Sequence, residues 1–89
     1  MKKYEWNEEK NKKLKNERNI SFEEVVATIR SGKLIAVENH PRVSRQQFYI
    51  IQINSYAYVV PFVIKDTNIS FLKTIYRSRK MSKKYLKVK

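Results

Sequence analysis

Not one of the 89 residues is cysteine, so neither a disulfide nor a thiolate metal site can form. A reducing cytoplasm suits such a chain. Histidine occurs once, at His40, which excludes any site built on several imidazoles. No metal and no cofactor are expected. No apolar run approaches the roughly 18 residues of a membrane span, and there is no signal-peptide pattern. A membrane is therefore the least expected of the anionic partners. Acid is scarce too: 8 Asp and Glu stand against 20 Lys and Arg, a net charge of +12.

The surplus is uneven. Residues 65–89 carry nine cations and one acid, Asp66, while residues 1–18 carry seven and four. Such a field repels itself until an anion neutralises it, so nucleic acid or an acidic protein partner is expected. Hydrophobic residues make up 42% of the chain, with six Tyr and four Phe, too many for a disordered segment. The length suits one domain, residues 1–89, with one modest core.

Lys3–Trp6 reads as a short strand or lead-in. Asn7 can cap a helix running to about Arg18, with Glu8 and Glu9 in its first turn. That helix is nearly all polar. Leu14 is its only apolar residue, so it lies on the surface or shows a basic face to a partner. Ser21 and Glu24 form a capping box, Ile20 and Val25 a hydrophobic staple, and Phe22, Val25, Val26 and Ile29 one apolar face. Gly32 is a natural stop.

Beyond it the period changes to two. Strands are expected at KLIAVE, FYIIQI, YAYVVPFVI and ISFLKTIY, with a weak hairpin turn at Asn54-Ser55. Tyr56, Tyr58, Val60 and Phe62 share one face. Pro61 implies a bulge or an edge position. Ile69, Phe71 and Ile75 fall on one face of the last strand, with Lys73 between them. Ser78 or Ser82 can cap a short final helix in which Met81 and Tyr85 lie one turn apart. The fold class is thus α+β: two N-terminal helices, a three- to four-stranded antiparallel sheet and a short C-terminal helix.

Three groupings could carry chemistry. The cations Arg77, Arg79, Lys80, Lys83 and Lys84 can contact phosphates, Arg79 bidentately, whereas Lys87–Lys89 read as a solubilising tail. Tyr76 and Tyr85 flank those cations and can stack on unpaired bases, whereas Tyr56 and Tyr58 read as core-filling strand residues. The third is an acid–base set for RNA cleavage without metal. A base takes the 2′-OH proton, cations stabilise the phosphorane, and an acid protonates the leaving 5′-oxygen. Lys10, Lys73, Tyr76, Arg79, His40 and Glu24 have suitable side chains. His40 sits in a loop without a visible tuning partner, and Glu24 already serves the capping box.

The opening YEWNEEKNKKLKNERNISFEEV resembles that of BrnT-type toxins of bacterial type II toxin–antitoxin systems, with Tyr4, Trp6, Asn7, Lys10, Ile20, Phe22 and Val25 at motif positions. SYAYVVPFV and ISFLKTIYRSRKMSKKYL are similar to the second half of a close branch of small toxins, through Tyr58–Val63, Phe71–Tyr76 and Ser78–Lys80. The resemblance implies a RelE-like fold and metal-independent cleavage of mRNA, free or on the ribosome. It also implies translation arrest and a cognate antitoxin. By motif position it implies Lys10 and Arg79 as site residues and Lys73, Tyr76 and Lys80 as RNA contacts. The chain departs at Arg18-Asn19, where His-Gly is usual, at Glu17 for Lys, and at Arg77 for Pro. Arg18 stays protonated and cannot shuttle a proton. A non-catalytic RNA- or antitoxin-binding module is therefore the second expectation.

Overall fold

The computed structural model describes residues 3–43 and 45–86. The Lys87–Lys89 tail lies outside them. Strand β1 (Lys3–Trp6) leads into helix α1 (Glu8–Arg18), and helix α2 (Phe22–Thr28) runs on through a wide turn, Ile29–Lys33. Strands β2 (Leu34–Asn39), β3 (Gln46–Ile53), β4 (Tyr56–Asp66), β5 (Ile69–Leu72) and β6 (Tyr76–Arg77) follow. Helix α3 (Arg79–Met81) continues as a wide turn, Ser82–Leu86.

The ends of these elements follow local chemistry. The Asn7 side chain accepts the Lys10 amide N–H at 3.0 Å and opens α1. Asn19 closes it in the left-handed conformation, φ 56°, which asparagine tolerates better than most residues. The Ser21 hydroxyl accepts the Glu24 N–H at 3.1 Å, the forward half of the capping box. Gly32 has φ 89°, a conformation that glycine adopts without strain. Asn54 and Ser55 both have positive φ, as a two-residue hairpin turn requires.

The sheet differs from the expected antiparallel three or four strands. It has six strands in the order β1-β5-β4-β3-β2, with β6 also on β4, and β1 runs parallel to β5 from Lys3↔Ile69 to Trp6↔Leu72. Short turns force antiparallel neighbours only between consecutive strands. β1 and β5 are separated by both helices and three strands, so that rule does not bind them.

Pro61 is buried in β4, a central strand rather than an edge. Its carbonyl accepts the Lys73 N–H at 2.8 Å. The reciprocal bond to Lys73 is impossible, because proline has no N–H. The ladder stops there. It resumes at Val59↔Tyr76, one residue out of step with Phe62↔Leu72. The bulge implied by Pro61 is therefore in the partner strand. It also corrects the facing of the last strand. Ile75 joins Leu72 in the main core, while Phe71 points to the other side.

Both faces of the sheet are covered. On one, Tyr49, Ile51, Val60, Phe62, Leu72 and Ile75 meet Leu14, Phe22, Val25 and Val26 of the N-terminal helices. Tyr49 stacks on Phe62 with ring centres 3.8 Å apart, and its hydroxyl pairs with Ser70 at 3.0 Å. On the other, Ile50, Ala57 and Val59 are covered by Phe48 and by Met81, Tyr85 and Leu86 of the C-terminal helix. Ser78 caps that helix by accepting the Met81 N–H. Ser82 is buried instead. Its hydroxyl accepts the Ala57 N–H at 2.8 Å and donates to the Ser78 carbonyl at 2.9 Å, tying the helix to the end of β4.

Candidate nucleic-acid interface

The cations expected to meet phosphate lie on the segment from Lys73 through β6 into the C-terminal helix, with Arg77 on the face of the N-terminal helices and the C-terminal helix packed on the other face. Lys73, Arg77, Arg79 and Lys80 are all exposed. Among the described residues the ion pairs are Lys15–Glu23, Lys65–Glu5 and Lys84–Glu38, so none of those four cations has a carboxylate within 4.0 Å. Arg79 and Lys80 occupy the first turn of α3, which holds no acid. Positive charge there opposes the helix dipole, so folding stability does not account for it.

Helix α1 joins this segment at its C-terminal end. Arg18 donates from Nη1 to the Ile75 carbonyl at 2.7 Å, immediately before β6. Lys10 is half-buried, eight residues earlier on the same helix. At about 1.5 Å per residue the two sit roughly 12 Å apart along the axis.

The tyrosines divide differently from expectation. Tyr76 is 41% exposed, on the face opposite the N-terminal helices, since Val59 is its partner across the ladder. Tyr85 packs into the second core cluster, and its hydroxyl donates to Glu38. Tyr58 packs partly against the main core. Tyr56 belongs to neither cluster and lies edge-on to Tyr58, 6.4 Å between centres. The Arg77 guanidinium sits over the Tyr56 ring, 4.7 Å from its centre. Neighbouring strands bring this pair together, and only the register Tyr58↔Arg77 could have revealed it.

His40 follows β2, the far edge strand, three strands from β6 and two residues after Glu38, which Lys84 and Tyr85 contact. Its Nδ1 accepts the backbone N–H groups of Arg42 and Val43, each at 3.0 Å, and so shapes its own loop. Glu24 stays at its helix start.

Lys83 is exposed, while Lys84 donates to Glu38 at 3.0 Å. The hydrogen bond from Tyr85, then that from Lys84, holds the Glu38 carboxyl below the usual range. The same contacts with Glu38 raise the Tyr85 hydroxyl and the Lys84 ammonium. Glu38 therefore gives its full stabilisation above the ordinary Glu range and loses it as pH falls through its lowered value. The shares of Tyr85 and Lys84 are full below their ordinary values and fade as pH rises through the raised ones. Glu38→Gln should lower the melting temperature near neutrality. The gap from wild type should narrow as pH falls below the ordinary Glu range. A constant gap would mean that Glu38 does not anchor the C-terminal helix.

Among the described residues no three His, Cys, Asp or Glu side chains cluster, no enclosed pocket forms, and no helix is long and apolar enough to cross a membrane. The candidate interface is an open surface. Among solved structures, the chain is similar to the Brucella abortus ribonuclease toxin BrnT, with a TM-score of 0.64 over 88% of this chain and 97% of that one, at 14% sequence identity. The chain thus has a BrnT-like fold. No family model and no curated protein matches it.

Proposed function

We propose that the protein is the toxin of a type II toxin–antitoxin module, a metal-independent endoribonuclease that cuts mRNA in the cytoplasm and arrests translation. The supporting observation is the exposed cationic segment from Lys73 to Lys80, with no carboxylate within 4.0 Å among the described residues, on a fold similar to that of a ribonuclease toxin. Phosphate occupies that cationic segment when the protein is active, and an acidic segment of the cognate antitoxin occupies it when the protein is silenced.

In the reaction, the 2′-OH loses its proton and attacks the adjacent phosphorus, and the 5′-oxygen leaves with a proton. Arg79 and Lys80 are the cations assigned to the extra phosphorane charge, and Lys10 of α1 is kept as a further candidate. The exposed Tyr76 hydroxyl is the available proton carrier on the strand. His40 is no part of this set. Incubating end-labelled RNA with purified protein in the presence of a chelator tests the reading: 2′,3′-cyclic phosphate ends are expected. Intact RNA under conditions where the protein binds it would leave the second reading, a non-catalytic module. The use of His40 as a loop acceptor and the fixed, protonated Arg18 favour that second reading.

Both readings share one physical expectation. If Lys73, Arg77, Arg79 and Lys80 each meet a phosphate, log K should fall with log salt at a slope near −3, from about −0.7 per contact on a single strand. Between about 50 and about 200 mM salt that is roughly a fiftyfold loss of affinity. Anisotropy titrations at several salt concentrations measure it, and a flat slope would remove nucleic acid as the ligand.

A further inference from the structure

We infer that Tyr56 and Arg77 form a stacking platform for an unpaired base, making single-stranded RNA the form of substrate that this surface selects. The inference rests on the ribonuclease reading for the class of polymer. The platform itself comes from the register. Ile53↔Tyr56 and Tyr58↔Arg77 put the three side chains of Tyr56, Tyr58 and Arg77 on the same face of the sheet. The guanidinium lies on the Tyr56 ring, and Tyr58 stands edge-on against that ring. Arg77 is exposed, so a ligand can reach its guanidinium beside the Tyr56 ring.

A guanidinium held this way is suited to two tasks at once. Its flat face stacks on a base, while its edge N–H groups reach a phosphate. The aromatic ring beneath fixes its orientation before any ligand arrives. The neighbouring cation is fixed as well, because Arg18 is tied to the Ile75 carbonyl two residues before Arg77. In extended chain those anchor points are about 7 Å apart. Tyr56 lies outside both core clusters, so packing does not account for it, and no carboxylate among the described residues accounts for the position of Arg77. A duplex keeps its bases stacked and offers such a platform only phosphate and ribose. A single strand can turn a base onto it.

The experiment compares three labelled probes of equal length: a single strand, the same strand with its central bases removed, and the duplex. For the full-length protein, the base-bearing strand should bind roughly tenfold more tightly than the abasic one, the span expected of one stacked base. Arg77→Lys keeps the charge and loses the plane. It should bring that ratio close to one while leaving the salt slope unchanged. Tyr56→Leu should do the same, and Tyr56→Phe should restore the ratio. Circular dichroism and melting temperature establish that each variant is folded, and Arg77→Lys, an exposed change, carries the test if Tyr56→Leu is not. A wild-type ratio in Arg77→Lys, or equal binding of base-bearing and abasic strands by wild type, overturns the platform. Failure to cut RNA with the ratio intact overturns the ribonuclease reading alone. Failure to bind any probe at low salt overturns both.

Discussion

Arg79→Ala should abolish growth arrest on expression and reduce RNA cleavage by at least a hundredfold, with the protein still folded. The magnitude is that of losing one preorganised donor to a developing negative charge, about 10²–10³ in rate. The structure gives reason to expect no penalty in stability. Arg79 is exposed, has no carboxylate partner among the described residues, and lies in a first helical turn without acid. Removing a cation from that position relieves an unfavourable interaction with the helix dipole. The melting temperature should therefore stay level or rise slightly. Arg79→Lys separates charge from geometry: partial activity would assign a point-charge role, and full loss the bidentate fork. Wild-type cleavage by a folded Arg79→Ala protein would take this residue out of the mechanism.

The largest effect on stability should come from Asn11→Ala. Asn11 is fully buried in a helix that otherwise reads as polar surface. Its side-chain oxygen accepts the Phe22 N–H at 2.8 Å, and its amide nitrogen donates to Glu23 at 2.8 Å. One residue of α1 thus satisfies the open first turn of α2 and holds the two helices together. Truncation leaves a buried N–H without a partner, which should cost about 2–4 kcal/mol. In a domain of this size that is a fall in melting temperature of roughly 10–25 °C. Asn11→Leu keeps the volume and should be nearly as damaging, because the orphaned N–H is the main term. The Glu23 carboxyl supplies an independent readout. It lies below the usual range chiefly through the Asn11 hydrogen bond, so its titration should move upward in both variants. An Asn11→Leu protein as stable as wild type would show that packing, rather than this bond, joins the helices.

Asn11 also marks where reading the residues in order reaches its limit. The caps at Asn7, Ser21 and Ser78, the Asn54-Ser55 turn and the common face of Tyr56, Tyr58, Val60 and Phe62 are local, set by residues within a few positions of one another. All were legible. The parallel pairing of β1 with β5, the burial of Asn11 against α2, the anchoring of Tyr85 by Glu38 and the Arg77–Tyr56 stack join residues 11 to 66 positions apart. No periodicity encodes them. The candidate site divides the same way. Its positive charge was legible in composition. The sides of the sheet on which Arg77 and Tyr76 emerge were not, because one extra residue before β6 decides them.

That extra residue follows the point in the ladder where Pro61 has no amide hydrogen to donate. A residue able to donate there could complete the pair with Lys73 and extend the ladder in step through Ile75. The chain beyond would then be rotated by one position: Ile75 would leave the main core for the face that Tyr76 now occupies, and the Arg77 side chain would leave Tyr56 for the opposite surface. One imino acid in the interior thereby acts as a compass for the molecule's electrostatic pole, setting from a distance which way its cations face.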